Sequence, residues 1–240
     1  MDLERSERER GRERSRTPRW GGRAVLQGPA HRSSQAMKRG FFITFEGPEG
    51  GGKSTHSRQL ASWLKRRGHS VLWTREPGGT PLGMKLRKIL LDSRHDALDP
   101  FLELLLYEAN RALLVREAIR PALKTGKVVI ADRFQDSTWV YQSWAGGIDR
   151  LLVEELGRAA TGGLKPDLTI LLDLPVRKGL ARVRRPNRME AKSLAFHTKV
   201  RQGFLELARR HRKRFRVVPA DRPIREVTQA IRKEVADVLC

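Results

Sequence analysis

Fifteen residues constrain this chain more than any others: Phe41-Phe42-Ile43-Thr44-Phe45-Glu46-Gly47-Pro48-Glu49-Gly50-Gly51-Gly52-Lys53-Ser54-Thr55. They read as a buried strand that runs into a glycine-rich loop and then into a helix. Gly47 to Ser54 fits G-x-x-x-x-G-K-[ST], the P-loop pattern, with Pro48 and Glu49 in two of the free positions. A loop of this composition can curl its backbone N–H groups around an anion. Lys53 can reach β- and γ-phosphates, and Ser54 offers a hydroxyl to Mg²⁺. Ser54 and Thr55 open a helix whose N-terminus adds unpaired donors and the positive end of a dipole. A chance glycine turn would lack the apolar strand before it and the helical pattern after it. The stretch therefore predicts a nucleoside triphosphate held by residues 47–55.

The rest of the chain alternates strands with helices. Apolar runs at Ser70–Thr74, Val128–Ala131, Leu168–Leu172 and Phe215–Val218 predict four more strands. They are continuous runs and do not alternate with polar residues, which argues for a parallel sheet covered on both faces. Helices are expected over 53–67, 82–91, 102–124, 136–144, 151–160, 175–184, 194–212 and 223–239. The expected fold is α/β: a five-stranded parallel sheet with helices on both faces and a short lid at about 182–190. No internal repeat or linker divides residues 38–240, so they form one domain. Residues 1–37 are rich in Arg, Glu, Ser and Gly and poor in apolar side chains, so they are expected to be disordered.

The formal net charge is +22. Residues 1–37 hold nine arginines against Asp2, Glu4, Glu7, Glu9 and Glu13, so most of that excess belongs to the folded part. Runs such as Lys65-Arg66-Arg67 read as solvated surface. Nucleic-acid adhesion would be a side effect of this charge, not the main function. The sole cysteine is Cys240, so no intrachain disulfide can form. No long apolar run or secretory pattern is present, and the expected setting is reducing and cytoplasmic, with no membrane partner.

Ligands of an open parallel sheet sit at the carboxyl ends of its strands. There the sequence places the P-loop, Arg75, Asp132-Arg133 and the basic turn Arg182–Arg188. Asp132, after Val-Val-Ile-Ala, suits a Walker-B carboxylate that would hold Mg²⁺ together with Ser54. A helix cap is the plainer role for Asp132, and a surface ion pair is the plainer one for Arg75 and Arg133. No side chain stands out as a general base. A hydroxyl acceptor would want one, whereas an ionised acceptor phosphate wants arginines. The residues thus favour a nucleoside-monophosphate kinase.

Four stretches sharpen this. Thr74-Arg75-Glu76-Pro77-Gly78-Gly79-Thr80, the Leu104–Arg111 segment, Asp132-Arg133-Phe134-Gln135-Asp136-Ser137-Thr138-Trp139-Val140-Tyr141-Gln142, and Pro166-Asp167-Leu168-Thr169 together resemble thymidylate kinase. The similarity spans about residues 40–235. It implies an ATP-dependent, Mg²⁺-dependent dTMP kinase that works as a homodimer. It implies that Arg75 and Arg133 clamp the dTMP phosphate and that Glu49 faces the acceptor sugar and phosphate. Tyr107 would stack on thymine where the family usually has Phe, though a long helix also explains a core aromatic there. Arg111 would bond the base edge, Ser137 and Thr138 would lie against the base, and Tyr141 and Gln142 would lie near sugar and base. Gly50 stands where one subclass has a P-loop arginine. The resemblance is therefore to the bacterial type, whose catalytic arginines come from the lid. Arg184 and Arg188 are the first candidates, ahead of Arg182 and Arg185. Leu113-Leu114 and Pro186-Asn187 depart from the family's usual residues.

Overall fold

The computed structural model describes residues 39–95 and 98–239. The disorder expected for residues 1–37 lies outside them. Five strands form one sheet: β1 (Phe41–Glu46), β2 (Val71–Arg75), β3 (Val128–Asp132), β4 (Leu168–Asp173) and β5 (Phe215–Pro219). The order is β2-β3-β1-β4-β5, and every pair is parallel. The expected α/β sheet with helices on both faces is what forms. Each strand runs one residue past its apolar run, to Glu46, Arg75, Asp132, Asp173 and Pro219. Ladder bonds use only the backbone, so a polar last residue still pairs.

Nine helices are described: α1 (Lys53–Arg66), α2 (Pro81–Leu91), α3 (Pro100–Leu114), α4 (Arg120–Lys124), α5 (Gln135–Thr138), α6 (Arg150–Thr161), α7 (Val176–Ala181), α8 (Leu194–Arg210) and α9 (Ile224–Leu239). A wide π-helical turn over Val115–Ile119 joins α3 to α4, and another over Trp139–Trp144 extends α5. Sequence-level starts are explicit. Thr80 accepts the Gly83 N–H at 3.0 Å and is followed by Pro81. Asp99 accepts the N–H groups of Phe101 and Leu102 at 2.9 and 3.0 Å before α3.

Because strand side chains alternate faces, β1 contributes to two cores. Ile43 and Phe45 pack with Leu60 and Leu64 of α1 and Val227, Ile231 and Val235 of α9. Phe42 packs on the other face with Leu114, Val115, Ile119 and Phe134. A further group on that face joins Val140 and Leu171 to Val200 and Phe204 of α8. Burying such side chains is the main stabilisation, roughly 2 kcal/mol for each fully buried large one. β1 thus sits mid-sheet between β3 and β4, with its carboxyl end opening into a crevice where the chain's connections diverge to opposite sides.

Candidate active site

The loop after β1 turns tightly because three of its glycines have positive φ: 135° at Gly47, 70° at Gly50 and 81° at Gly52. Close approach forces the choice as much as φ does. A Cβ at Gly50 would stand 2.1 Å from the Gly179 carbonyl oxygen, and one at Gly179 would stand 2.3 Å from that of Glu49. The loop and α7 therefore meet backbone to backbone. Gly51 is buried, with Leu172 beside it. Lys53 folds back and donates to the carbonyls of Gly47 at 3.0 Å and Pro48 at 2.6 Å. Burial, with Arg133 adding to it, brings the Lys53 ammonium down to about 8. Ser54 donates its hydroxyl to the Asp132 carboxylate. Thr55 lines the same cleft.

Across the loop stands Arg133, at φ 73°, a rare conformation for a residue with a side chain. The backbone is held by the Arg133 N–H donating to Phe45 O at 3.0 Å, and by the next N–H, of Phe134, donating to Glu46 at 2.8 Å. This conformation sends the guanidinium into the cleft. There it donates to Ser137 at 3.0 Å, Tyr141 at 3.2 Å and both oxygens of Glu49. Burial pushes the Glu49 carboxyl up, but Arg133 and Lys53 outweigh it and hold the group at about 2. Tyr141 donates its hydroxyl to Glu49 at 2.7 Å. Arg75 ends β2 in register with Asp132, and its guanidinium lies 5.7 Å from the Trp73 ring.

Arg111 is 1% exposed and fully engaged. It donates to Glu76 at 2.7 Å, Glu108 at 2.8 Å, Gln135 at 2.7 Å and Thr138 at 2.9 Å. Burial would lower the Arg111 guanidinium, but Glu108 and Glu76 drive it above its usual value. These bonds tie α3 to the loop after β2 and to α5, and Arg111 also lines the cleft. Tyr107 lines the cleft from α3. Gln142 lines it too, donating to Glu103 at 2.7 Å.

The loop after α7 divides its arginines. Arg182 and Arg185 line the cleft, and Arg182 donates to the carbonyls of Gly50 at 3.2 Å and Ala220 at 3.3 Å. Arg184 is exposed and stands outside the lining. Arg188 is buried, donating to Leu90 O at 3.0 Å and pairing with Glu103. The helix before this loop ends at Ala181, short of the expected Arg184, so all four arginines are carried by loop backbone.

The sequence reading missed three site residues. Glu46, fully buried, accepts from Phe134 N and from Ser137 Oγ at 2.6 Å. Burial, with Asp136 adding to it, raises the Glu46 carboxyl well above the carboxylate range. Its only signal was a charged residue closing an apolar strand. Arg87 of α2 lines the cleft and donates to Pro77 O at 2.9 Å; burial and then Arg75 lower its guanidinium. Glu103 looked like an ordinary polar helix position. Together the cleft measures about 470 Å³ and joins the P-loop, Asp132, two arginines at the strand ends, Arg87 of α2, and the aromatic and amide side chains of the far wall.

The family model for thymidylate kinase matches residues 45–231. The thymidylate kinase of Desulfosudis oleivorans is 49% identical over 197 residues, covering 78% of this chain and 92% of that protein. That of Deinococcus radiodurans is 47% identical over 204 residues, covering 84% and 98%. A crystal structure of thymidylate kinase from Ehrlichia chaffeensis superposes with a TM-score of 0.69 at 34% identity, covering 82% of this chain and 99% of that one. Shared sequence along nearly the whole described fold, and a shared architecture, mean that this chain belongs to the thymidylate kinase family.

Proposed function

We propose that this cleft transfers the γ-phosphoryl group of ATP to the phosphate of dTMP, giving ADP and dTDP. The observation that carries this reading is the convergence of Arg75, Arg87 and Arg133 opposite the P-loop in one cleft. Every carboxylate lining it already has a partner: Glu49 with Arg133, Glu76 with Arg111, Asp132 with Ser54, Glu190 with Asn187. Such a site is poorly equipped to deprotonate a hydroxyl and well equipped to offset the repulsion between two phosphates. Phosphoryl transfer asks mainly for positioning and charge neutralisation, which these residues supply.

In this reading the backbone of residues 47–52 and Lys53 hold the ATP phosphates. Thr55 lies at the opening of α1 beside them. Arg75, Arg87 and Arg133 hold the acceptor phosphate. Glu49 keeps Arg133 aimed, and Tyr141 braces Glu49. Tyr107 stacks on the base, with Ser137, Thr138 and Gln142 around its edge and Arg111 fixing the wall behind. The lid loop supplies the remaining cation. Arg182 and Arg185 are the nearest to the cleft, Arg184 would need the loop to close, and Arg188 serves as the loop's anchor. Ser54 and Asp132 present two oxygens side by side, which fits a hard cation. Among the described residues no cluster of three or more His, Cys, Asp or Glu could hold a metal by itself. Mg²⁺ held there would therefore share its coordination with substrate phosphates, neutralising their charge.

The chain is taken to act as a homodimer. Exposed Leu82 of α2, Phe101, Leu102 and Leu105 of α3 and Leu151 of α6 are the apolar surface such a pairing would cover. No helix among the described residues is long and apolar enough to cross a membrane. A reducing, cytoplasmic setting belongs to the same reading, since the single cysteine leaves no intrachain disulfide to form. The test is ADP release with ATP and Mg²⁺ across dTMP, dUMP, dCMP, dGMP and AMP. dTMP should give the highest kcat/KM. A better turnover with another monophosphate, or none with any, overturns the reading.

A further inference from the structure

Gln142 is 4% exposed and lines the acceptor end of the cleft. A glutamine amide can offer a base either its N–H₂ donor or its carbonyl acceptor, and the two differ only by a flip. Here the flip is decided from behind. Gln142 Nε2 donates to Glu103 Oε1 at 2.7 Å. The other carboxylate oxygen of Glu103 is taken by Arg188, whose Nε is spent on Leu90 O at 3.0 Å. Both Glu103 and Arg188 are buried, at 6% and 5% exposure. An ion-paired carboxylate can only accept hydrogen bonds. It therefore demands the amide nitrogen of Gln142, and the carbonyl oxygen is left as the group for the cleft.

We propose that Glu103 is a specificity-positioning residue: it locks Gln142 with its oxygen toward the acceptor base, so that the site selects a pyrimidine carrying N3–H. This rests on the dTMP kinase reading above. Thymine and uracil have a hydrogen on N3 and can donate to that oxygen. Cytosine has a bare acceptor at N3, and two acceptors would face each other in a buried site. Sites built to hydrogen-bond a substrate reject the analogue that cannot respond far more strongly than apolar pockets reject a changed methylene. The sequence had no sign of this, because Glu103 touches no substrate and acts across 39 residues of chain.

The experiment is the ratio of kcat/KM for dTMP to that for dCMP, with ATP and Mg²⁺, in wild type, Glu103→Gln, Gln142→Leu and the double variant. An amide at position 103 can donate as well as accept, so the amide at 142 is free to flip. Glu103→Gln should lower the ratio at least about tenfold, the scale of one hydrogen bond in a buried site. In the Gln142→Leu background the same substitution should leave the ratio unmoved. Exchanging the pair, Glu103→Gln with Gln142→Glu, should raise the ratio again, because the carboxylate at 142 still faces the base as an acceptor. An unchanged ratio in Glu103→Gln overturns the proposal. So does a fall that is as large without Gln142, since Glu103 would then act by another route. If Glu103→Gln does not fold, the ratio is read on Glu103→Gln/Arg188→Met, which removes the orphaned cation with its partner. A wild type that ignores dTMP refutes the function itself. A wild type that prefers dTMP, with variants that keep its preference, refutes only the role of Glu103.

Discussion

Both carboxylate oxygens of Glu49 lie 2.9 Å from Nη2 of Arg133, so the phosphate loop and the end of β3 are joined by a charge pair inside the cleft. The pair is mostly buried, with side-chain exposures of 16% for Arg133 and 13% for Glu49. In the proposed reaction an acceptor phosphate would share Arg133 with Glu49.

That pair should make the protein acid-sensitive. Glu49 is held at about 2, below its ordinary 4.5. Between these values the unfolded chain binds more protons than the folded one, so stability rises with pH there. The contribution, on the order of 3 kcal/mol, is complete above about pH 4.5 and is lost as pH falls through about 2. Urea unfolding of wild type and Glu49→Gln from about pH 5 to about pH 3 checks it. The gap between the two should narrow as the solution becomes more acid. A gap of constant size would assign the low value to something other than Glu49.

Lys53→Ala should remove the charge facing the transferred group and, with it, the bonds to Gly47 O and Pro48 O. A loss of at least ~10²-fold in kcat is expected, as for a single lost oxyanion donor. Far-UV circular dichroism should be unchanged, because the helix and sheet cores lie elsewhere. Near-normal kcat would rule out Lys53 as a phosphate ligand.

Alanine at Arg182, Arg184, Arg185 and Arg188 should separate three behaviours. Arg182 or Arg185, which line the cleft, should lose roughly 10³-fold in kcat with little change in KM, the low end for an arginine that acts in the transition state. Exposed Arg184 should lose less than either. Arg188→Ala should instead lower the melting temperature, since it strands buried Glu103. Steady-state kinetics and thermal melts on all four decide it. A dominant kcat loss at Arg184 would mean that the loop closes much further over ATP.

Arg111→Ala should be among the most destabilising single changes in the chain. It leaves Glu76 and Glu108 buried without their cation, a loss of roughly 3–5 kcal/mol. The midpoint of urea unfolding should fall accordingly. A variant with normal stability and only a raised KM for dTMP would return Arg111 to direct base contact.

How much of this was legible depended on range. Strands showed because buried parallel strands are continuous apolar runs, and their polar last residues were lost for the same reason. The P-loop showed because its chemistry is contiguous. Arg133 could be named, but its left-handed backbone could not, since it is fixed by Phe45 and Glu46 from another strand. Arg111 was placed correctly on α3, but its bonds to Glu76 and Gln135 were not legible, because those partners arrive from 35 and 24 residues away. Glu46, Arg87 and Glu103 stayed invisible because each is polar in a place where only a tertiary neighbour gives it meaning.

The contact between Gly50 and Gly179 also limits where this protein could ever draw its catalytic charge. A side chain at position 50 meets the carbonyl of Gly179 at 2.1 Å and must do so at a φ of 70°. A lineage starting from this backbone cannot acquire a P-loop arginine in one step, because the two main chains would first have to part. Backbone sterics, before any chemistry, thus close position 50 to a side chain.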